Sequence, residues 1–381
     1  MSDTYNPISP LNHLPPELIE AILPFLPPKS LGRFKSVSKR WYSLISSPSF
    51  IKSHIHNNPN PNPTQLILLP NDNKSIYSVD IKQFNTLTTS ATVTAKRLNV
   101  RKPLLMILGS CNGLVLSCDM YDNTLCLLNL NMGHTFKLPY ISEKEYDTYE
   151  FGYDSDTDDY EKEYDTYGLG YDSSTDDYKV VVISHMSVPD SDPDSKFLFV
   201  YSLRNNSWKR LPDFSYQQHD VYSLCPGVLL NNNLHWVVKS RRSTMTIAAF
   251  DLANEQFREI KLPNSFKCSQ VFVVGGKLVA VMRNGLLSPN LIFELWVMEE
   301  YGVPKSWKKL YIFEETMDLS FEFFVQVSNR DILLGNNKAN EFVIYNMDEG
   351  RCTSVPIEGC PKGFKSYATC VEGLESLERF R

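Results

Sequence analysis

A unit that repeats through most of the chain restricts the fold more than any other feature of the sequence. A short apolar run leads into a polar turn and returns to end on a hydrophobic residue and a proline. Cys126-Leu127-Leu128-Asn129-Leu130 reaches Leu138-Pro139, and Phe199-Val200-Tyr201-Ser202-Leu203 reaches Leu211-Pro212. Ala249-Phe250-Asp251-Leu252 reaches Leu262-Pro263, and Val343-Ile344-Tyr345-Asn346-Met347 reaches Val355-Pro356. A fifth unit, Glu294-Leu295-Trp296-Val297-Met298 through Leu310, lacks the final proline. Tight-turn signals lie ahead of these units at Asn112-Gly113, Asn231-Asn232, Gly275-Gly276 and Asn329-Arg330. Asn-Gly and Gly-Gly supply the positive φ angles that two-residue hairpins require. Four short strands recurring about every 45–50 residues are the mark of a β-propeller blade. The blade-like stretches fall at 65–100, 104–140, 180–213, 226–263, 270–313 and 322–356, six in all. A last strand near Tyr367 to Val371 is expected to close the ring against the first.

The residues ahead of this array obey a different period. Leu14, Leu18, Ile22 and Leu26 recur every four residues and share one stripe of a helix. Pro15 and Pro16 suit a first helical turn, and Pro24 must end or kink that helix. Ser30 is expected to cap a second short helix, and Ser38 a third that Ser47-Pro48 stops. The fold class expected is therefore α+β multidomain. A small all-α unit of three short helices spans 11–55, an Asn/Pro-rich linker 56–64, and an all-β propeller of about six blades 65–375. The linker's alternating prolines favour extended geometry, roughly 20 Å long. Three short helices make a very small core, yet the stretch is rich in large apolar residues. Some of those residues are there to be covered by a partner.

These N-terminal residues resemble the F-box motif. The match runs through Leu14-Pro15-Pro16-Glu17-Leu18, Ile22-Leu23, Leu26-Pro27, Lys29-Ser30-Leu31, Arg33-Phe34, Val37-Ser38-Lys39, Trp41, Leu44-Ile45, Pro48 and Phe50. Pro24 and Phe25 depart from it, occupying slots that are often polar. F-box proteins are substrate receptors of SCF-type ubiquitin ligases. The resemblance implies a Skp-type adaptor as partner, and through it a cullin scaffold. Carried over by position, it implies adaptor contacts at Leu14, Pro15, Ile22, Leu26, Leu31, Val37, Trp41 and Leu44. The segment 11–55 carries six Lys/Arg against Glu17 and Glu20, a charge of +4 that suits an acidic partner surface.

The β region resembles the plant F-box-associated interaction domain over most of 104–313. The likeness rests on Gly109-Ser110-Cys111-Asn112-Gly113-Leu114, Gly170-Tyr171-Asp172, Asp177-Tyr178-Lys179-Val180-Val181 and Tyr201-Ser202-Leu203 with Ser207-Trp208. It continues through His235-Trp236, Phe250-Asp251-Leu252, Leu295-Trp296-Val297-Met298, Tyr301-Gly302-Val303 and Ser306-Trp307. The resemblance implies capture of a target protein, with no catalytic residue and no cofactor.

Charge is uneven. Residues 143–160 (EKEYDTYEFGYDSDTDDY) and 161–178 (EKEYDTYGLGYDSSTDDY) match at fifteen of eighteen positions, a tandem duplication. Together they hold fourteen Asp/Glu and two Lys, a net of −12, within a chain of −6 overall. The remainder is therefore +6, and no Lys/Arg-dense stripe points to nucleic acid. A solvated acidic loop over 143–178 is the expectation. Asp154, Asp156, Asp158, Asp159, Asp172, Asp176 and Asp177 are candidates to lie beside a basic target. Asp154-x-Asp156-x-Asp158 imitates a calcium loop but has Asp159 where the turn needs glycine. Gly275-Gly276-Lys277-Leu278 lacks phosphate-loop spacing. Trp208 and Trp307 fall at equivalent blade positions and are expected to pack, as is His235-Trp236.

No run reaches the roughly 18 apolar residues of a membrane span. The eight cysteines form no C-x-x-C pair and no secretion signal opens the chain, so a cytosolic or nuclear protein without metal is expected. The function expected is a non-catalytic substrate receptor of an SCF-type ligase. The alternatives are a glycan-binding or enzymatic propeller, and an F-box protein acting outside the ligase.

Overall fold

The computed structural model describes residues 15–57, 64–71, 75–86, 92–98, 106–119, 124–130, 134–141, 165–185, 196–211, 217–218, 226–239, 245–263, 267–284, 291–315, 321–326, 331–336, 341–346, 348–361, 363–371 and 373–374. The chain divides into two compact units, residues 1–59 and 60–381.

The first unit is helical. Helix α1 (Pro16–Ile22) starts on a proline whose missing N–H costs nothing there. Pro24 cannot donate to the continuing ladder, so the chain tightens into a 3-10 turn, Leu23–Phe25, and leaves it extended at Leu26. Helix α2 (Pro28–Phe34) begins at Pro28 behind Pro27, not at the expected Ser30 cap. Helix α3 (Lys39–Ile45) is capped as expected, the Ser38 hydroxyl accepting from Trp41 N at 3.2 Å.

A fourth helix, α4 (Pro48–Asn57), was not anticipated. Ser47-Pro48 is a restart: Ser47 Oγ accepts from Phe50 N at 3.3 Å, and its carbonyl accepts from Ile51 N. A proline that stops one helix is equally suited to the first turn of the next. Helical structure thus runs through Asn57, two residues into the expected linker. The rest of that linker, to Pro63, lies outside the described residues. His54 ties α4 to the 3-10 turn, its Nδ1 donating to the Pro24 carbonyl at 2.7 Å.

The second unit is a six-bladed β-propeller. Blade 2 comprises Met106–Cys111, Leu114–Cys118, Leu125–Asn129 and His134–Lys137. Blade 3 comprises Thr166–Asp172, Asp177–His185, Lys196–Ser202 and Ser207–Leu211. Blade 4 comprises Val228–Leu230, Asn233–Lys239, Met245–Asp251 and Gln256–Lys261. In this blade Gln217–Gln218 also pairs with the second strand.

Blade 5 runs Lys267–Val274, Lys277–Asn284, Leu291–Met298 and Trp307–Glu315. Blade 6 runs Phe321–Gln326, Asp331–Asn336, Glu341–Asn346 and Arg351–Val355. Blade 1 takes its first strand, Phe364–Cys370, from the other end of the chain. That strand pairs with Gln65–Pro70 from Gln65↔Cys370 onward, followed by Ile76–Asp80 and Lys96–Leu98. The ring closes there, which removes two sheet edges.

Three of the four expected turns form as the sequence dictates, and the fourth, Asn329-Arg330, lies outside the described residues. Asn112 and Gly113, Asn231 and Asn232, and Gly275 and Gly276 all have positive φ. Blade 3 differs from expectation. Its first strand, Thr166–Asp172, lies inside the second acidic copy, ahead of the expected start at 180, and every residue of it is buried. Blade 1 closes as expected, the last strand pairing with the one that opens 65–98 and completing its four strands.

The cores sit between blades. Val181, Val200 and Leu211 of blade 3 pack with Trp236, Ala248 and Phe250 of blade 4. The alternate residues Ile247 and Ala249 face Ala280 and Met282 of blade 5. Leu66 and Leu68 of blade 1 meet Leu333 and Phe342 of blade 6. Both faces of a blade are therefore covered, which is why the central strands read as continuous apolar runs.

Candidate functional site

The two candidate regions, the helical unit and the acidic duplication, are built differently. In the helical unit, Leu23, Leu31, Ile45, Phe50, Ile51 and His54 form the buried interior. Phe34 and Trp41 meet edge to face at 5.4 Å and brace α2 against α3. What remains outside is strongly apolar. Leu18, Ile22 and Phe25 follow one another at spacings of four and three along α1 and its 3-10 extension. Ile22 is 50% and Phe25 65% exposed. Val37, at 62%, and Tyr42 are exposed beyond α2 and on α3. Five of the seven large hydrophobic residues exposed among the described residues belong to this unit; Tyr140 and Leu310 are the others.

The eight expected contact residues separate by burial. Pro15, Ile22 and Val37 are exposed, and Leu26, Trp41 and Leu44 are partly buried. Leu31 is fully buried and belongs to the unit's own interior, so it has no surface to offer a partner. Leu14 lies outside the described residues. Leu18, Phe25 and Tyr42 were not singled out as contacts. The i, i+4, i+7 spacing of Leu18, Ile22 and Phe25 was the available signal.

The acidic duplication resolves differently from expectation. Asp154, Asp156, Asp158 and Asp159 lie outside the described residues. Asp172 and Asp177 are corrected from loop to strand: both are buried. Asp172 Oδ1 accepts from Ser174 N and Oγ at 3.0 and 2.6 Å, and Oδ2 from Thr175 Oγ1 at 2.7 Å. Lys179 Nζ stands 3.4 Å from the same carboxylate. Burial alone would raise the Asp172 pKa. The Ser174 and Thr175 hydrogen bonds and the Lys179 charge outweigh it and hold the pKa below the ordinary value. Asp177 accepts from Arg204 N at 2.8 Å and from the Ser202 hydroxyl. A carboxylate with such partners costs little to bury.

Asp176 is partly exposed and closes a hairpin device that recurs. Its φ is 56°, and its carboxylate accepts from Tyr171 OH, five residues earlier, at 2.6 Å. Asn206 (φ 48°) accepts from Tyr201 OH at 2.8 Å in the same relation. Phe250 lacks a hydroxyl, and the matching residue, Glu255 (φ 54°), reaches instead to Lys179 at 3.2 Å and Lys209 at 2.6 Å. Those contacts join blades 3 and 4 and help hold a glutamate in a conformation it seldom adopts.

His235, fully buried, donates from Nδ1 to the Val228 carbonyl at 2.9 Å, so Nε2 accepts from Tyr301 OH at 2.8 Å. Burial, reinforced by the nearby Arg258 charge, lowers its pKa to about 4 despite the opposing Val228 hydrogen bond. It joins blade 4 to blade 5 as a neutral ring. The two tryptophans at equivalent positions also join blades. Trp208 Nε1 donates to the Pro139 carbonyl at 2.7 Å, and Trp307 Nε1 to that of Lys261 at 2.9 Å. No group of three or more metal-ligating side chains occurs among the described residues.

The model of the F-box associated beta propeller domain matches residues 66–377, and that of the F-box domain matches residues 11–53. The chain belongs to the F-box proteins with an F-box-associated β-propeller. The family resemblance extends to named relatives from Arabidopsis thaliana. The F-box protein CPR1 is 28% identical over 397 residues, covering 93% of this chain and 86% of that protein. The F-box/kelch-repeat protein At3g23880 is 28% identical over 375 residues, covering 94% and 96%. In this F-box protein, then, the unit with exposed apolar residues is the F-box, and the inter-blade networks are those of the associated propeller.

Proposed function

We propose that this protein is the substrate-recognition subunit of an SCF-type ubiquitin ligase. The F-box docks on a Skp-type adaptor, and through it on a cullin scaffold, while the propeller holds the protein to be ubiquitinated. The observation that carries the reading is the exposure of Leu18, Ile22, Phe25, Val37 and Tyr42 on a unit whose own core is small. Apolar surface of this kind marks a site to be covered by another protein. The basic balance of the segment favours an acidic partner. The chain contributes no chemistry of its own. Holding a target lysine near the ubiquitin donor raises its effective concentration, and that is the catalytic contribution. Such a subunit works in the cytoplasm or nucleus.

Topology suggests where the target binds. Successive strands are antiparallel, so first-to-second and third-to-fourth turns leave one end of the propeller. Second-to-third turns and blade-to-blade connections leave the other. The first end carries tight turns such as Asn112-Gly113 and Ser173 to Asp176, the latter tied to neighbouring turns by Arg204 and Asn232. The second end carries the longer connections, including the one between Lys137 and Thr166. Target capture at that end, with the acidic stretch drawing in a basic surface, is the reading we favour.

The test is adaptor binding by the full chain and by an Ile22→Asp/Val37→Asp variant. Both side chains are exposed, so folding should be unaffected while adaptor affinity falls at least about tenfold, as buried charges at an interface require. Equal binding by both proteins would overturn the adaptor assignment. For the target end, deletion of 143–160 should weaken binding of a basic target and flatten its salt dependence.

A further inference from the structure

We infer that only the second acidic copy can serve as a blade strand, chiefly because it carries a glycine where its near-identical neighbour has a glutamate. The two copies offer the chain two versions of the same strand, Thr148 to Asp154 and Thr166 to Asp172. They differ at three positions: Glu150 against Gly168, Phe151 against Leu169, and Asp156 against Ser174. Two of the three fall in the buried strand, and the third in the exposed turn that follows it.

Gly168 is the most constrained. A Cβ placed on it would lie 2.7 Å from Trp236 Cζ2 and 3.0 Å from Leu234 Cδ1. The indole cannot retreat. A Cβ on Gly227 would meet Trp236 Cε2 at 2.5 Å, so the ring is in close contact with two glycines. Its N–H also donates to the Tyr167 carbonyl at 3.2 Å. Those two glycines bridge strand to strand between blades 3 and 4, and Gly227 N donates to Tyr167 O at 2.7 Å. Glu150 in place of Gly168 would force a side chain and a charge into this contact.

The other two differences act in the same direction. Leu169 is 1% exposed, so phenylalanine there overfills a closed site. Ser174 donates twice to Asp172, and an aspartate in its place loses the hydroxyl bond and sets two carboxylates together. The first copy therefore cannot exchange with the second, and a register slip of eighteen residues is blocked. The extra copy is separable from the propeller.

Two deletions in the full chain test this. Removing 143–160 or removing 161–178 yields chains of equal length that differ only at those three positions. The first should unfold within a few degrees of the parent, since shortening a surface connection changes little. The second should lose on the order of 10 °C in its unfolding midpoint or fail to stay soluble. Restoring glycine there by Glu150→Gly should recover more than half of that loss. Equal stability of the two deletions, destabilisation by the first, or recovery of less than half by Glu150→Gly would each overturn the inference. These readouts concern the fold alone, so they stand or fall apart from the ligase assignment.

Discussion

The F-box and the propeller solve the same problem in opposite ways. Each is a set of amphipathic elements that must cover their apolar faces. In the propeller every blade has two neighbours, and closure by Phe364–Cys370 gives blade 1 its own. Ile247 faces one neighbour and Ala248 the other, and both are fully buried. The F-box has too few residues to do this. It buries Leu31 and Ile45 and leaves Ile22 and Val37 in water. A ring is self-sufficient, and a short helical bundle is completed from outside.

That contrast can be broken most sharply in the propeller. Lys179→Met should cost about 3–5 kcal/mol, because Asp172 stays buried without its cation. Hydrogen exchange would then rise in the hairpins of blades 3 and 4, while adaptor binding by the F-box should not change. An increase confined to the F-box would contradict the division into independent units.

The F-box counterpart is a pair of substitutions. Leu31→Ala should destabilise the helices by about 2–5 kcal/mol, the range for a buried leucine. Ile22→Ala, at an exposed site, should change stability by no more than about 0.5 kcal/mol while weakening adaptor binding. Circular dichroism melts and affinity measurements on both variants give the check. If Ile22→Ala proved as destabilising as Leu31→Ala, the exposed residues would belong to a core.

Acid distinguishes the units next. The folded-state pKa of His235 is depressed to about 4 from an ordinary 6.5. Below pH 6.5 the unfolded chain takes up a proton that the folded chain refuses. Propeller stability should therefore fall as pH drops from 6.5 towards 4, by up to about 3 kcal/mol, and level off below. A His235→Gln variant should lose that part of the pH dependence.

The smallest effect concerns the two indole bridges. Trp208→Phe and Trp307→Phe each remove one hydrogen bond to a neighbouring blade and should cost about 1 kcal/mol. Trp208, the more exposed of the two, should cost less, and thermal unfolding of both variants would rank them.

Much of this was readable in the sequence where local chemistry decides. Asn-Gly, Asn-Asn and Gly-Gly pairs gave the positive-φ turns, and Ser38 its cap. Ser47-Pro48 does stop α3, but the restart at Pro48 is not legible, because a proline's local rule is the same at a helix end and a helix start. The first strand of blade 3 was hidden by composition. Thr166 to Asp177 reads as part of an acidic loop, and only the partners of Asp172 and Asp177 make those carboxylates interior groups.

The amino-acid sequence by itself determined the number of blades, the helical nature of the first unit and the family to which the chain belongs. The first two follow from periodicity and turn chemistry, which act over a few residues, and the family from its motifs and the family models they match. Tertiary structure alone decided which of two acidic copies became a strand, and that Leu31 faces inward while Val37 faces out. Those outcomes depend on contacts between distant residues, Gly168 with Trp236 above all, and no local pattern encodes which side chain will close over a glycine.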